Sequence, residues 1–252
     1  GLDAATGVMR WLEAQGLGMN VGPALVPIVP GAVLFDLHVG DASIRPGTEA
    51  GYQACEAASR TPPAEGNVGA GTGATVGKMF GMPFAMKGGI GTASVTLDGV
   101  TVGALIACNA LGDVVDPDTG ALIAGARTAD GTGLRDTRRA LLRGEPPLPI
   151  LAGTNTTIGV IATDAPLTKT QAQRLALMGH DGLARSINPV HTMSDGDTLF
   201  SLGTGRAGKS LGMMVLATMA AEATARATAR AVQAARSVTT AEGLYLPAMA
   251  DL

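Results

Sequence analysis

Apolar residues recur at helical spacing between Asp3 and Gln15, where Val8, Met9, Trp11 and Leu12 line up before Gly16 and Gly18 stop the pattern. From Val26 to Val39 the chain is apolar but broken by Pro27, Pro30 and Gly31, which leaves a strand only from about Ala32 to Leu37. Pro46 is expected at the first position of a helix running to about Ser59, where its missing N–H costs nothing. Thr61 to Met86 is rich in glycine and proline and reads as loop. Two strands follow, Thr92 to Leu97 and Val100 to Cys108, joined by Asp98-Gly99, a pair that favours a type I′ hairpin turn. A second turn, Asn109-Ala110-Leu111-Gly112, leads to a short strand from Asp113 to Val115. Ala124 to Pro149 carries Arg135, Arg138, Arg139 and Pro146-Pro147, and is expected to be an exposed connection with one short helix.

In the second half the polar turn Gly153-Thr154-Asn155 runs through Thr156-Thr157 into a β-branched apolar run ending at Thr163, the pattern of a buried strand. Thr168-Lys169-Thr170-Gln171 is a capping box that opens a helix to about Ser186. Thr198 to Gly203 is the last strand, and a glycine-rich turn links it to a long helix from Leu211 to Arg236. Helices and strands interleave through hairpins without a βαβ rhythm, which suits a layered α+β fold in a single domain, 1–252.

Composition narrows the partners. Only 15% of the 252 residues are charged against 46% hydrophobic, which points to surface buried against other copies of the chain. The net charge of −3 comes without any basic cluster, so no nucleic-acid partner is expected. Glu222, Arg226 and Arg230 interrupt the long Ala-rich helix, so no membrane span is expected there. Gly1-Leu2-Asp3 has neither the basic nor the apolar region of a secretory signal. Cys55 and Cys108 both sit in apolar settings and read as reduced thiols, consistent with a cytoplasmic location.

Several patterns suggest chemistry and do not hold. Gly69 to Ala74 fits a loose dinucleotide fingerprint, but no strand precedes it. Gly77-Lys78 suggests a phosphate loop, yet Thr72 replaces its first glycine and Met79 its magnesium-binding hydroxyl. Asp195-Gly196-Asp197 lacks the further ligands of a calcium loop, and no Gly-x-Ser-x-Gly elbow is present. No cofactor and no metal are therefore expected. His180 and His191 read as helix or loop hydrogen-bonders.

Thr156 is different. A hydroxyl at the mouth of a core strand is rigidly placed. As an internal residue it has no base of its own. Cutting the Asn155–Thr156 bond would give it a free α-amine, with a reference pKa near 8, to take the proton from its own hydroxyl. Without such a cut, Thr156 and Thr157 are ordinary strand residues.

Asn155 to Asp164 resembles the processing site of the P1/DmpA family of self-cleaving N-terminal-nucleophile hydrolases, peptidase family S58. His191 to Phe200 resembles that family's downstream acidic motif, and Lys87 to Ser94 its glycine-rich segment. The resemblance covers nearly the whole chain. It implies an αββα sandwich of the DmpA/ornithine-acetyltransferase type, here apparently without the N-terminal strands. It also implies cleavage into an α chain, 1–155, and a β chain, 156–252, in a homotetramer. The family's amide, peptide and ω-amino-oligomer hydrolysis would have Thr156 as nucleophile and Asn109 in the oxyanion hole. Asp195 and Asp197 would act on the Thr156 amine or hydroxyl, and Lys78 would stand beside it. Phe35 falls where relatives can carry a tyrosine hydroxyl, which leaves the substrate open. The alternatives are an acyltransferase of the ornithine-acetyltransferase type and a non-catalytic, truncated relative.

Overall fold

The computed structural model describes residues 1–149 and 153–252. The chain packs as two compact units, one combining Gly1–Val33 with Asp41–Pro63, the other Leu34–Gly40 with Ala64–Leu252. In the first, helix α1 (Ala4–Ala14) crosses α2 (Thr48–Glu56), and the hairpin β1 (Met19–Asn20) with β2 (Leu25–Val26) lies between them in sequence. A side chain at Gly7 or Gly51 would strike the backbone of the opposite helix, so both crossing points need glycine. Pro46 does not occupy the first helical position. The Asp3 carboxylate accepts the Thr48 N–H at 3.2 Å, so the helix begins there, with Gly47 as its cap, and it ends at Glu56 rather than Ser59.

The second unit begins with Leu34–Gly40, and the strand expected from Ala32 to Leu37 does not form. The Phe35 carbonyl accepts from the Asn109 side chain at 3.0 Å, a side-chain partner in place of a strand ladder. A short pair, β3 (Thr75–Val76) and β4 (Met86–Lys87), forms inside the expected loop. The central sheet has the order β11-β9-β6-β5, from Thr198–Gly203, Ile158–Thr163, Val100–Cys108 and Gly89–Leu97 respectively. In β6 the residues Val100, Val102, Ala104 and Ile106 are buried in alternation, the period of a strand with one face on the core. The β5–β6 hairpin closes at Leu97 and Val100 over Asp98 and Gly99, both with positive φ, as a type I′ turn requires.

Helix α4 (Lys169–Ser186) starts from the capping box of Thr168 and Gln171, with both reciprocal bonds made. It carries the chain from β9 to β11, which pair in parallel, so one βαβ unit is present where sequence showed no such rhythm. The period was hidden because a second sheet intervenes: the chain visits β10 (Ile187–Asn188) between α4 and β11. That sheet, β10-β7-β8, also holds β7 (Asp113–Val115) and β8 (Leu122–Ala124). Helix α5 (Met213–Gln233) lies so close to β5 that a Cβ at Gly91 would overlap the Ala227 carbonyl. Its alanines, among them Ala220, Ala223 and Ala227, are what permit that approach. After α5 come a short pair, β12 (Val238–Thr239) and β13 (Tyr245–Leu246), and a 3-10 turn at Met249–Asp251.

The connection from Ala124 to Pro149 is less exposed than its arginines and prolines suggest. Ala124, Ala126, Thr137 and Ala140 are all fully buried, the last two in α3 (Thr137–Leu142). The Asp113 carboxylate draws this segment in, accepting from the N–H groups of Ala126 at 2.8 Å and Thr137 at 2.6 Å. Among the described residues, no helix is long and apolar enough to cross a membrane.

Candidate active site

Four segments distant in sequence converge at one end of the central sheet. Thr156 stands two residues before β9 and is 4% exposed, with its N–H donating to the Asn109 carbonyl at 3.1 Å. Asn109 follows β6 directly, and the antiparallel pairing of β6 with β9 is what sets the two side by side. Asp195, Gly196 and Asp197 precede β11, whose parallel register with β9 brings Thr198 opposite Ile158. Lys78 lies between β3 and β4 and reaches in from a third side. The five residues singled out from sequence are thus gathered in one place.

The peptide bond before Thr156 is held on both sides. Gly196 N–H donates to the Asn155 carbonyl at 2.7 Å and the Asn109 carbonyl accepts the Thr156 N–H, while the following peptide is fixed by Thr157 N–H donating to Asp197 Oδ1 at 2.8 Å. A Cβ on Gly196 would stand 3.0 Å from Thr156 Oγ1, so residue 196 faces both the carbonyl oxygen and the hydroxyl. Sequence marked the two aspartates of this Asp-Gly-Asp and passed over the glycine between them. Its backbone donor is aimed where an oxyanion would form.

The aspartates have different tasks. Asp195 Oδ2 accepts from Thr192 N–H at 3.0 Å and Oγ1 at 2.6 Å, closing its own loop. Burial pushes its carboxyl above the usual range, and the Asp197 charge adds to the effect. Asp197 bridges two elements, with Oδ1 on Thr157 and Oδ2 at 2.8 Å from His191 Nδ1.

Asn109 is fully buried and its amide is engaged. Nδ2 donates to the Phe35 carbonyl at 3.0 Å, while Oδ1 accepts from Thr75 N–H at 3.0 Å and Lys78 Nζ at 2.9 Å. Lys78 Nζ also donates to the Asn109 carbonyl at 3.0 Å, the same oxygen that holds Thr156 N–H. Burial brings the Lys78 ammonium down to about 7, against the opposing pull of the Asp195, Asp36 and Asp197 carboxylates. An amine on Thr156 would share that carbonyl with Lys78, and a neighbouring ammonium lowers the pKa of an amine.

Sequence missed three other groups here. Lys87 is wholly buried and donates to the carbonyls of Gly71, Ala74 and Gly88 at 2.8, 2.7 and 3.0 Å, with burial taking it to about 8. Asp36, next to Phe35, lies within electrostatic reach of both lysines, and burial raises its carboxyl. The Cys108 thiol is buried beside them and pushed up to about 12, which keeps it protonated and poorly nucleophilic. The apolar setting of Cys108 marks its burial, but no local pattern places any of the three at the site. Their company arises only when β3, β6 and the Leu34–Gly40 segment meet.

A cleft of about 340 Å³ opens beside the site, with Phe35, Asp36, Lys78, Leu111, Leu148 and Asn155 in its wall. It meets the chain on the Asn155 side of the Asn155–Thr156 bond. Among the described residues, no group of three or more His, Cys, Asp or Glu side chains is placed to hold a metal ion.

Comparison with known proteins bears on what this arrangement serves. An uncharacterized aminopeptidase of Mycobacterium leprae is 49% identical over 214 residues, 81% of this chain and 57% of that protein. A 6-aminohexanoate-oligomer endohydrolase of Paenarthrobacter ureafaciens is 31% identical over 209 residues, again 81% of this chain and 57% of the relative. The chain therefore spans little more than half the length of these relatives. Among solved structures, the L-aminopeptidase D-Ala-esterase/amidase of Ochrobactrum anthropi, described as a variant of the Ntn hydrolase fold, matches with a TM-score of 0.67. The sequences are 25% identical, and the match covers 98% of this chain and 67% of that one. The fold is accordingly α+β, of the kind seen in Ntn-hydrolase-type aminopeptidases. The model of peptidase family S58 matches residues 1–245, and the chain belongs to that family.

Proposed function

We propose that this chain is an amide hydrolase that activates itself by cutting its own Asn155–Thr156 bond and then uses Thr156 as an N-terminal nucleophile. The observation that carries the reading is the held peptide: Gly196 N–H on the Asn155 carbonyl oxygen, with Thr156 Oγ1 facing the same glycine. In the first step Oγ1 attacks the Asn155 carbonyl carbon, and its proton passes to the Thr156 nitrogen as the C–N bond breaks. An ester links Asn155 to Oγ1, and the α-amine is free. Water then hydrolyses the ester to an Asn155 carboxylic acid and restores the hydroxyl.

Substrate hydrolysis follows the same two steps. The freed amine takes the hydroxyl proton, Oγ1 attacks an amide carbonyl, an acyl-enzyme forms as that proton leaves with the amine product, and water then hydrolyses the ester to release the acid and restore the hydroxyl. Gly196 N–H serves as a donor to the oxyanion, with Asn109 contributing the amide N–H that Phe35 does not engage. Asp197 holds the backbone next to the nucleophile, Asp195 shapes the loop that presents Gly196, and Lys78 keeps the amine basic form populated. Short peptides, amino-acid amides and ω-amino-acid oligomers are the substrate class, in keeping with what the relatives are named for. Asp36 in the cleft wall supplies a carboxylate for a free substrate amine.

Intact-mass measurement on the purified chain tests this. Two polypeptides are expected, the smaller beginning Thr-Thr-Ile-Gly-Val, together with hydrolysis of amino-acid p-nitroanilides. A chain that stays whole yet hydrolyses amides removes Thr156 as the nucleophile.

A further inference from the structure

We infer that His191 is a positioning residue for the Thr156 reaction, acting through the Asp197 carboxylate. Only the kinetic arm of its test rests on the cleavage-and-hydrolysis reading above. Asp197 has a side chain only 4% exposed, and a carboxylate so buried needs partners for both oxygens. Oδ1 is on Thr157 N–H, the peptide immediately after the nucleophile, and Oδ2 is on His191 Nδ1 at 2.8 Å. Rotation of this carboxylate would take the acceptor away from Thr157. The imidazole is the group that prevents it.

The placing of His191 is costly and specific. Its φ of +55° lies in the left-handed region, which residues with a Cβ rarely adopt. Strain of this kind persists where the surroundings require it. The ring lies 4.9 Å from the His180 ring on α4, tilted by 57°, so it is backed by a second element and not by its own loop alone. With 38% of its side chain exposed, His191 joins solvent to a buried carboxylate. The other charged or titratable groups around Asp197 are Asp195 on the same loop, Lys78 before β4 and Cys108 at the end of β6, with His180 and Asp181 coming from α4. None of these is hydrogen-bonded to the Asp197 carboxylate among the contacts of the described residues, whereas the His191 side chain is.

The first arm is spectroscopic and needs no activity. In uncut Thr156→Ala protein, 15N–1H correlation spectra should show a proton on His191 Nδ1, a preference lost when Asp197→Ala is added. A ring protonated at Nε2 alone in the uncut protein overturns the proposal. The second arm compares His191→Phe with His191→Asn, whose amide can still donate to Oδ2. Cleavage before Thr156 and kcat for an amide should both fall about tenfold in His191→Phe, with KM within twofold, and recover most of the loss in His191→Asn. Equal rates in His191→Phe and wild type, or equal losses in both variants, overturn it. If wild type neither splits nor hydrolyses, the proposed function fails and the catalytic role of His191 with it, while the spectrum still decides whether the ring holds the Asp197 carboxylate.

Discussion

The two ends of the central sheet use the same strands to opposite purpose. At the far end β5 turns into β6 through Asp98-Gly99, and Thr163 and Asp164 close β9 by bonding to Thr101, with Thr163 Oγ1 donating to its carbonyl at 2.8 Å. Its ion pair, Lys209 with Asp98 at 3.4 Å, has side chains 50% and 75% exposed, where water does most of the solvating. At the near end Lys78, Asn109, Thr156 and Asp197 are all nearly sealed, and the side chains of Lys78, Asn109 and Asp197 bond to partners from other segments. Polar groups at the far end finish a sheet. Those at the near end are held out of water at a cost that only a site repays.

Breaking each end should therefore give different kinds of failure. Thr156→Ala should leave one uncut, inactive chain, while Thr156→Ser should be cut and keep part of its activity, both read by intact mass and amide hydrolysis. Asp197→Asn should cut turnover by roughly 10²-fold, the scale of a misplaced reacting group, with the fold retained by circular dichroism. Thr163→Val, at the far end, should instead lower unfolding stability by about 1 kcal/mol and leave turnover within twofold. A loss of turnover in Thr163→Val comparable to that in Asp197→Asn would erase the distinction between the ends.

How much of each end could be read from sequence follows from how local its physics is. The Asp98-Gly99 turn and the Thr168/Gln171 cap are settled within a few residues, and both stand where the pattern put them. The strand expected from Ala32 to Leu37 failed because the Phe35 carbonyl is taken by Asn109, 74 positions away. The Ala124–Pro149 connection carries its expected short helix and is exposed over much of its length, but Ala124, Ala126, Thr137 and Ala140 are buried because Asp113, and not local composition, draws that part in. At the site, Asn155-Thr156 and Asp195-Gly196-Asp197 were visible as motifs. Lys87 and Asp36 were not, because a lysine becomes unusual only once β3, β4 and the turn at Gly71–Ala74 wrap it in carbonyls.

A pair of glycines sharpens the contrast. Gly99 has φ +73°, so Gly99→Ala should cost about 1–2 kcal/mol of stability and little activity. Gly196 needs glycine for another reason, the 3.0 Å from its would-be Cβ to Thr156 Oγ1. Gly196→Ala should slow self-cleavage by roughly 10²-fold, the scale of a misplaced reacting atom, with a smaller change in stability. Timed gel analysis of freshly made protein would separate the two, and normal cleavage in Gly196→Ala would remove residue 196 from the mechanism.

The smallest effect concerns the lysines, and it is a slope. Lys78 falls from its ordinary value to about 7 on burial, so between there and about 10.5 the unfolded chain holds a proton that the folded chain has released. Stability rises with pH wherever the unfolded state binds more protons, so wild type should gain stability across this window. Lys87, brought down to about 8, adds to the gain from that pH upward. Cys108, pushed up to about 12, acts in the opposite direction above its ordinary value, since there the unfolded thiol ionises and the folded one does not. The clean interval is therefore pH 7 to 8, where Lys78 acts alone among the three. Urea unfolding of Thr156→Ala protein, chosen so that cleavage does not intrude, should show the rise there. Adding Lys78→Met should flatten it, whereas Lys209→Met, which changes an exposed pair at the far end, should leave the slope as it was and alter stability by about 0.5 kcal/mol or less. An unchanged slope in Lys78→Met would mean that the folded protein keeps this ammonium charged throughout the window, and that burial does not bring Lys78 near neutrality.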